Sequence, residues 1–148
     1  MGFNIGICAI TDKLEITSKC DEFLERNYFN WVTEYEYLDE DSCIIQTGKL
    51  FNLDLEPLTY MTCLEGYEND EIPECLQDVN SLIITIDKLI SCVKEKPFFI
   101  NELPNVEHKS RWNNYIIKGD FLIHLETISR ILNCYKNNGF EKVFFEFG

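Results

Sequence analysis

The sequence predicts an α+β domain, a single-layer mixed or mostly antiparallel sheet with about three helices packed on it. Three observations predict it. Residues 3–10 and 142–147 alternate apolar residues with small or polar ones, as half-buried strands do. Two long stretches of the second half repeat apolar residues at three- and four-residue intervals, the spacing of a helix with one buried face. Between the first strand and those helices lie shorter runs rich in β-branched and aromatic residues, broken by acidic turns. The 148 residues, 45% of them hydrophobic and 14% aromatic, can build one core, so a single domain over 1–148 is expected.

Taken in order, Phe3 to Ile10 reads as the opening strand and Thr11-Asp12-Lys13 ends it. Ser18 can cap a helix through Asp21 to Arg26, with Asp21 and Glu22 where the helix dipole favours negative charge. Its buried stripe would be Cys20, Phe23, Leu24 and Tyr28. Trp31 to Leu38, Cys43 to Thr47 and Leu58 to Leu64 read as strands, joined by the acidic turns 39–41 and 65–71. On the first of these, Glu34 and Glu36 would share one face and Thr33, Tyr35 and Tyr37 the other.

The clearest helix begins at Pro73 or Leu76, carries apolar residues at 76, 79, 82, 83, 86, 89, 90 and 93, and is stopped by Pro97. Phe98 to Ile100 reads as a short strand and 101–114 as a polar loop. A second strong helix follows Asp120 as cap, burying Phe121, Leu125, Ile128, Ile131, Leu132 and Tyr135, and Asn137-Asn138-Gly139 supplies a left-handed stop. Lys142 to Phe147 closes the chain as a strand that can neighbour the first.

The charge is divided unevenly. Residues 1–75 hold 17 Asp and Glu against 4 Lys and Arg, whereas residues 76–148 hold 9 of each, so the whole net charge of −13 belongs to the first half. Such a field repels nucleic-acid phosphates and anionic lipid and draws in cationic partners. Neither nucleic acid nor membrane is therefore expected as a partner. No apolar run is long enough to span a bilayer and no signal-peptide pattern opens the chain, so a cytoplasmic location is expected. The seven cysteines are scattered singly and odd in number, which reads as reduced, buried thiols.

Catalytic signatures are missing. No Cys-x-x-Cys or His-x-x-x-His pair announces a metal, and no phosphate-binding glycine loop or nucleophile elbow is present. His124 borders the apolar face of its helix, the position of a hydrogen-bonded core-edge histidine, and His108 falls in a charged loop. The acids of 65–71 do not follow the alternation of a calcium loop, and the Lys109, Arg111, Trp112, Lys118 cluster sits in too acidic a chain to suggest nucleic acid. Neither enzyme activity nor any cofactor or metal is expected.

Met1-Gly2-x-x-Ile5 followed by Ile10-Thr11-Asp12, with a long central helix and a late helix leading into a terminal strand, resembles bacterial immunity proteins of polymorphic-toxin and contact-dependent growth inhibition systems. The resemblance implies a small cytoplasmic antitoxin that binds a cognate toxin domain, often a nuclease. It carries no contact residues with it. Charge alone nominates those: Glu34, Glu36, Asp39, Glu40, Asp41, Glu65, Tyr67, Glu68, Asp70 and Glu71, which could meet a basic toxin surface with two or three exposed aromatics among Trp31, Tyr35, Tyr37, Tyr60 and Tyr67 as anchors. A regulatory or scaffold domain with another partner is the alternative reading, and a small-molecule enzyme stands third.

Overall fold

The tail strand predicted at 142–147 is the centre of the sheet. The computed structural model describes residues 5–22, 24–33, 42–63, 74–106 and 109–147. Strand β1 (Ile5–Ile10) pairs antiparallel with β5 (Lys142–Phe147), from Ile5 opposite Phe147 to Ala9 opposite Val143. On its other side β5 is shared by two short strands. β4 (Gln77–Asp78) runs antiparallel to Lys142 and Val143, and β3 (Met61–Cys63) runs parallel to Phe145–Phe147. β2 (Ile16–Thr17) pairs with Ala9 and Ile10 and completes a mixed, mostly antiparallel five-stranded sheet. The α+β class and the neighbouring terminal strands are as the sequence predicted.

Side chains alternate across these strands. Ile5, Ile7, Ala9, Val143 and Phe145 join the main core, which the helices cover. The opposite face holds Cys8 and Phe144, both buried, with Gly6 and Glu146 beside them.

Five α-helices stand among the described residues rather than about three: α1 (Arg26–Val32), α2 (Cys43–Phe51), α3 (Val79–Glu95), α4 (Lys109–Ile117) and α5 (Asp120–Asn137). α3 and α5 are the two strong predictions and they pack on each other. α3 starts later than expected because Asp78, not a residue near 73–76, caps it, accepting from the Ser81 amide at 3.0 Å. α5 starts at Asp120 itself, with Gly119 (φ 94°) as the cap residue, and ends at Gly139 (φ 85°) as predicted.

The other helices replace predicted strands or loop. Cys43–Thr47 is helical because Ser42 accepts a hydrogen bond from the Ile45 amide, and Asn52 ends the helix in the left-handed conformation (φ 56°). Of its buried residues, 43, 44, 47 and 48 follow the helical period, and Gln46 is buried beside them through its bonds to Asn105. Trp31 and Val32 belong to α1, where packing of Trp31 on Trp112, with ring centroids 5.1 Å apart, overrides β propensity. Of the described part of the strand predicted at 58–64, Met61–Cys63 forms, after a 3₁₀ turn over Glu56–Thr59 with Pro57 near its start; Leu64 lies outside the described residues. A second such turn, Phe99–Glu102, stands where a strand was read at 98–100, and the expected loop to residue 114 contains most of α4, which buries Trp112, Tyr115 and Ile116.

Among the described residues, 18–22 and 24–25 do not take up the helix predicted from Ser18 to Arg26, of which only Arg26 is helical, as the first residue of α1; the reason lies at the outer edge of β1. Leu24 exchanges backbone hydrogen bonds with Ile5, at 2.8 and 3.3 Å. Asp21 spends its carboxylate on the Ile7 amide at 2.9 Å, and the Tyr135 hydroxyl donates to the Ile7 carbonyl at 2.7 Å. An edge strand left with open donors and acceptors is costly when buried, so the chain follows β1 instead of coiling. A disulfide between Cys20 and Cys134 joins this segment to α5, each cysteine being next in sequence to Asp21 or Tyr135. This corrects the expectation of seven thiols; five cysteines are free.

Two outcomes follow from this edge. In denaturant without reductant, thiol titration should count five groups, rising to seven after reduction, and reduction should lower Tm, since a bond spanning 114 residues contributes up to about 4–5 kcal/mol in the chain-entropy account. Tyr135→Phe should cost about 1–3 kcal/mol in urea unfolding, because it strands the Ile7 carbonyl without adding volume.

Candidate functional site

Three places on the molecule gather groups that could act on something else. The first is a cleft of about 730 Å³. Its walls are apolar: Phe29 and Val32 from α1, Ile45 from α2, Met61 from β3 and Phe147 from β5. The Phe29 and Phe147 rings stand 5.6 Å apart and tilted, closing one side. Thr33, Ser42, Thr59 and Glu56 supply the polar part. The threonine hydroxyls are already turned back on the backbone, Thr33 to the Phe29 carbonyl at 2.6 Å and Thr59 to the Glu56 carbonyl at 2.7 Å. Glu56 is exposed and holds the Tyr60 hydroxyl, and Asp54 lies beside them, its carboxylate accepting from the Glu56 amide at 3.2 Å. Volume, apolar lining and few polar groups are those of a binding site.

The second is a buried relay between α1, α4 and α5. The Tyr115 hydroxyl lies 2.8 Å from Nδ1 of His124, whose Nε2 faces Glu25 at 3.9 Å. With Nε2 carrying the proton toward Glu25, Nδ1 accepts from the tyrosine. Burial outweighs the pull of Glu25 and Asp120 and holds the His124 pKa below its ordinary value, so the ring is neutral at pH 7. A carboxylate, an imidazole and a hydroxyl in that order could activate a nucleophile, but Tyr115 is 3% exposed, inside a cluster of Trp31, Trp112 and Phe121. The array fastens helices together. His124 is the hydrogen-bonded core-edge histidine that the sequence predicted.

The third lies on the second face of the sheet, where oxygens of Asp21 and Glu146 approach to 2.5 and 3.0 Å of the point a side chain at Gly6 would occupy. Only glycine leaves room for both. Burial, helped by Asp21, raises the Glu146 pKa, and burial raises that of Asp21 against the lowering effect of its bond to Ile7. Burial, with Glu146 and Asp21 nearby, pushes the Cys8 thiol up to about 12, far from a reactive thiolate.

All ten residues nominated by charge, from Glu34 to Asp41 and from Glu65 to Glu71, lie outside the described residues, as do Tyr35, Tyr37 and His108. Of the aromatic anchors, Trp31 is fully buried and belongs to the core, whereas Tyr60 is 43% exposed at the cleft rim. Trp112 of the basic cluster is likewise core, with the Arg111 guanidinium stacked 4.8 Å over its ring. The cleft itself had no signal in the sequence, because its walls come from four elements and each apolar residue reads locally as core. Among the described residues no group of three or more His, Cys, Asp or Glu could hold a metal ion, and no helix is long and apolar enough to cross a membrane. No protein-family model, curated protein or solved structure matches this chain.

The Asp21–Glu146 pair gives a pH signature. Carboxyls whose folded pKa is raised are stabilised by protonation, so they weaken the fold at pH 7 and cease to do so as pH falls through their folded pKa. Glu146→Gln should therefore raise Tm at pH 7, and the gain should vanish near pH 4, in thermal melts at matched ionic strength.

Proposed function

We propose that this chain is an antitoxin that binds and neutralises a toxin domain, most simply a basic nuclease, through the acidic surface of its amino-terminal half. One observation carries the reading. Thr33 and Ser42, on either side of segment 34–41 in the chain, both line the cleft, and Met61 lines it three residues before segment 64–73. Those two segments hold nine of the 26 acidic residues and none of the 13 Lys and Arg. An apolar hollow and the most concentrated negative charge of the sequence are thus bonded to each other, which is the composition of an anchor surrounded by an attracting rim.

In this reading Glu34, Glu36, Asp39, Glu40, Asp41, Glu65, Glu68, Asp70 and Glu71 steer a cationic partner and Tyr67 joins Tyr60 as contact area. The charge accelerates encounter and its effect falls with salt. The cleft provides lifetime by removing apolar surface from water. The proposed compartment is the cytoplasm, where the resemblance to immunity proteins puts such inhibitors. Disulfides persist in oxidising compartments, and the Cys20–Cys134 bond is the one observation that weighs against it. Alkylating thiols at the moment of cell lysis and counting blocked cysteines decides the point. A regulatory or scaffold domain would use the same surface toward another partner.

Co-expression with its cognate toxin should relieve killing, and reversing Glu34, Glu36, Asp39, Glu40 and Asp41 to Lys should abolish that relief. Full protection by a reversed protein with an unchanged circular-dichroism spectrum would place recognition elsewhere.

A further inference from the structure

The cleft continues past Glu56. A second hollow of about 370 Å³ follows the carboxyl-terminal end of α2 and shares both Ile45 and Glu56 with the first, so the two form one groove. Its chemistry changes along its length. The larger end is walled by Phe29, Val32, Met61 and Phe147; the junction presents the exposed carboxylates of Asp54 and Glu56 with exposed Tyr60 beside them. The smaller end is built from the last turn of α2 and its cap, Gly48 to Asn52, where the helix dipole is negative. Among the described lining residues of the two hollows Lys49 is the one cation, and it is itself engaged within the protein.

Resting on the protein-binding reading above, we propose that this groove receives an extended segment of the partner, seating an apolar side chain in the large hollow and a lysine or arginine against Asp54 and Glu56. Two joined hollows ask for an elongated occupant. A compact molecule would fill one and leave the other wet. The carboxylate pair and the helix end ask for positive charge at the junction, and Tyr60 offers a ring face to the same cation. An aromatic or large aliphatic side chain fits the other end, where the Phe29 and Phe147 rings already pack tilted against each other.

The test uses the full chain with methyl NMR signals of Ile45 and Met61 and four probes at millimolar concentration. These are acetyl-Lys-Phe-Lys-Gly-Lys-amide, the same peptide with Glu for each Lys, the same with Gly for Phe, and phenethylamine. The lysine–phenylalanine peptide should shift both signals saturably, and the other three should bind at least about fivefold more weakly. The double variant Asp54→Asn, Glu56→Gln changes only exposed groups and should weaken the first peptide by about the same factor while leaving Tm unchanged. Equal binding by the glutamate peptide, equal binding by phenethylamine, or no shift at either methyl overturns the proposal. If the double variant still protects against the toxin while reversal of Glu34 to Asp41 abolishes protection, the groove assignment falls and the antitoxin reading stands. If the peptide binds as expected but both variants protect fully, the antitoxin surface falls and the groove remains.

Discussion

The pairing of β5 along both of its edges is the constraint on which the rest of the molecule depends. Six residues at the end of the chain hold β1 on one side and both β3 and β4 on the other. Because β4 runs directly into the Asp78 cap of α3, the same pairing sets where that long helix starts. Because β3 is held parallel to Phe145–Phe147, it also brings Met61 and Phe147 to the cleft. A strand joined to three partners of distant sequence closes long loops when it pairs, so the sheet carries a large loop-closure entropy cost.

The opposite problem arises at β1, whose outer edge has β2 for only two residues. Two side chains and one further backbone pair finish the edge. Asp21 takes the Ile7 amide, Tyr135 takes its carbonyl, and the Leu24 backbone pairs with Ile5. The Cys20–Cys134 bond holds the two sources of these groups, a loop and a helix, in the same place. Asp21 then sits over Gly6 with Glu146, and both acids are less acidic than usual because burial disfavours their charge. The edge is therefore closed at an electrostatic cost that a neutral side chain at 146 would relieve.

How much of this could be read in the sequence depends on whether the deciding interaction was local. α3 and α5 were legible because each buries one stripe at helical spacing and ends at Pro97 or Gly139. α2 was legible in principle, since Ser42 is a good cap and residues 43, 44, 47 and 48 keep the helical period, but its β-branched residues read as strand. The region from Ser18 to Arg26 was not legible at all. Asp21 looks like a first-turn helix acid, and only the presence of Ile7 across 14 residues of sequence diverts it. The Cys20–Cys134 pair is hidden for the same reason: nothing within either neighbourhood points across their sequence separation of 114.

The division of charge between the halves has a counterpart in the division of structure. Residues after 75 supply α3, α5 and β5, the bulk of the packed framework, and their acids and bases balance. Residues before 75 supply eight of the nine side chains that line the cleft, Phe147 being the ninth, and they carry the whole charge excess. A framework gains nothing from net charge, since self-repulsion opposes compaction, whereas a surface that must find a cationic partner gains a faster encounter. Under the antitoxin proposal, carrying the excess on the half of the chain that also walls the cleft would leave the balanced half free of that repulsion.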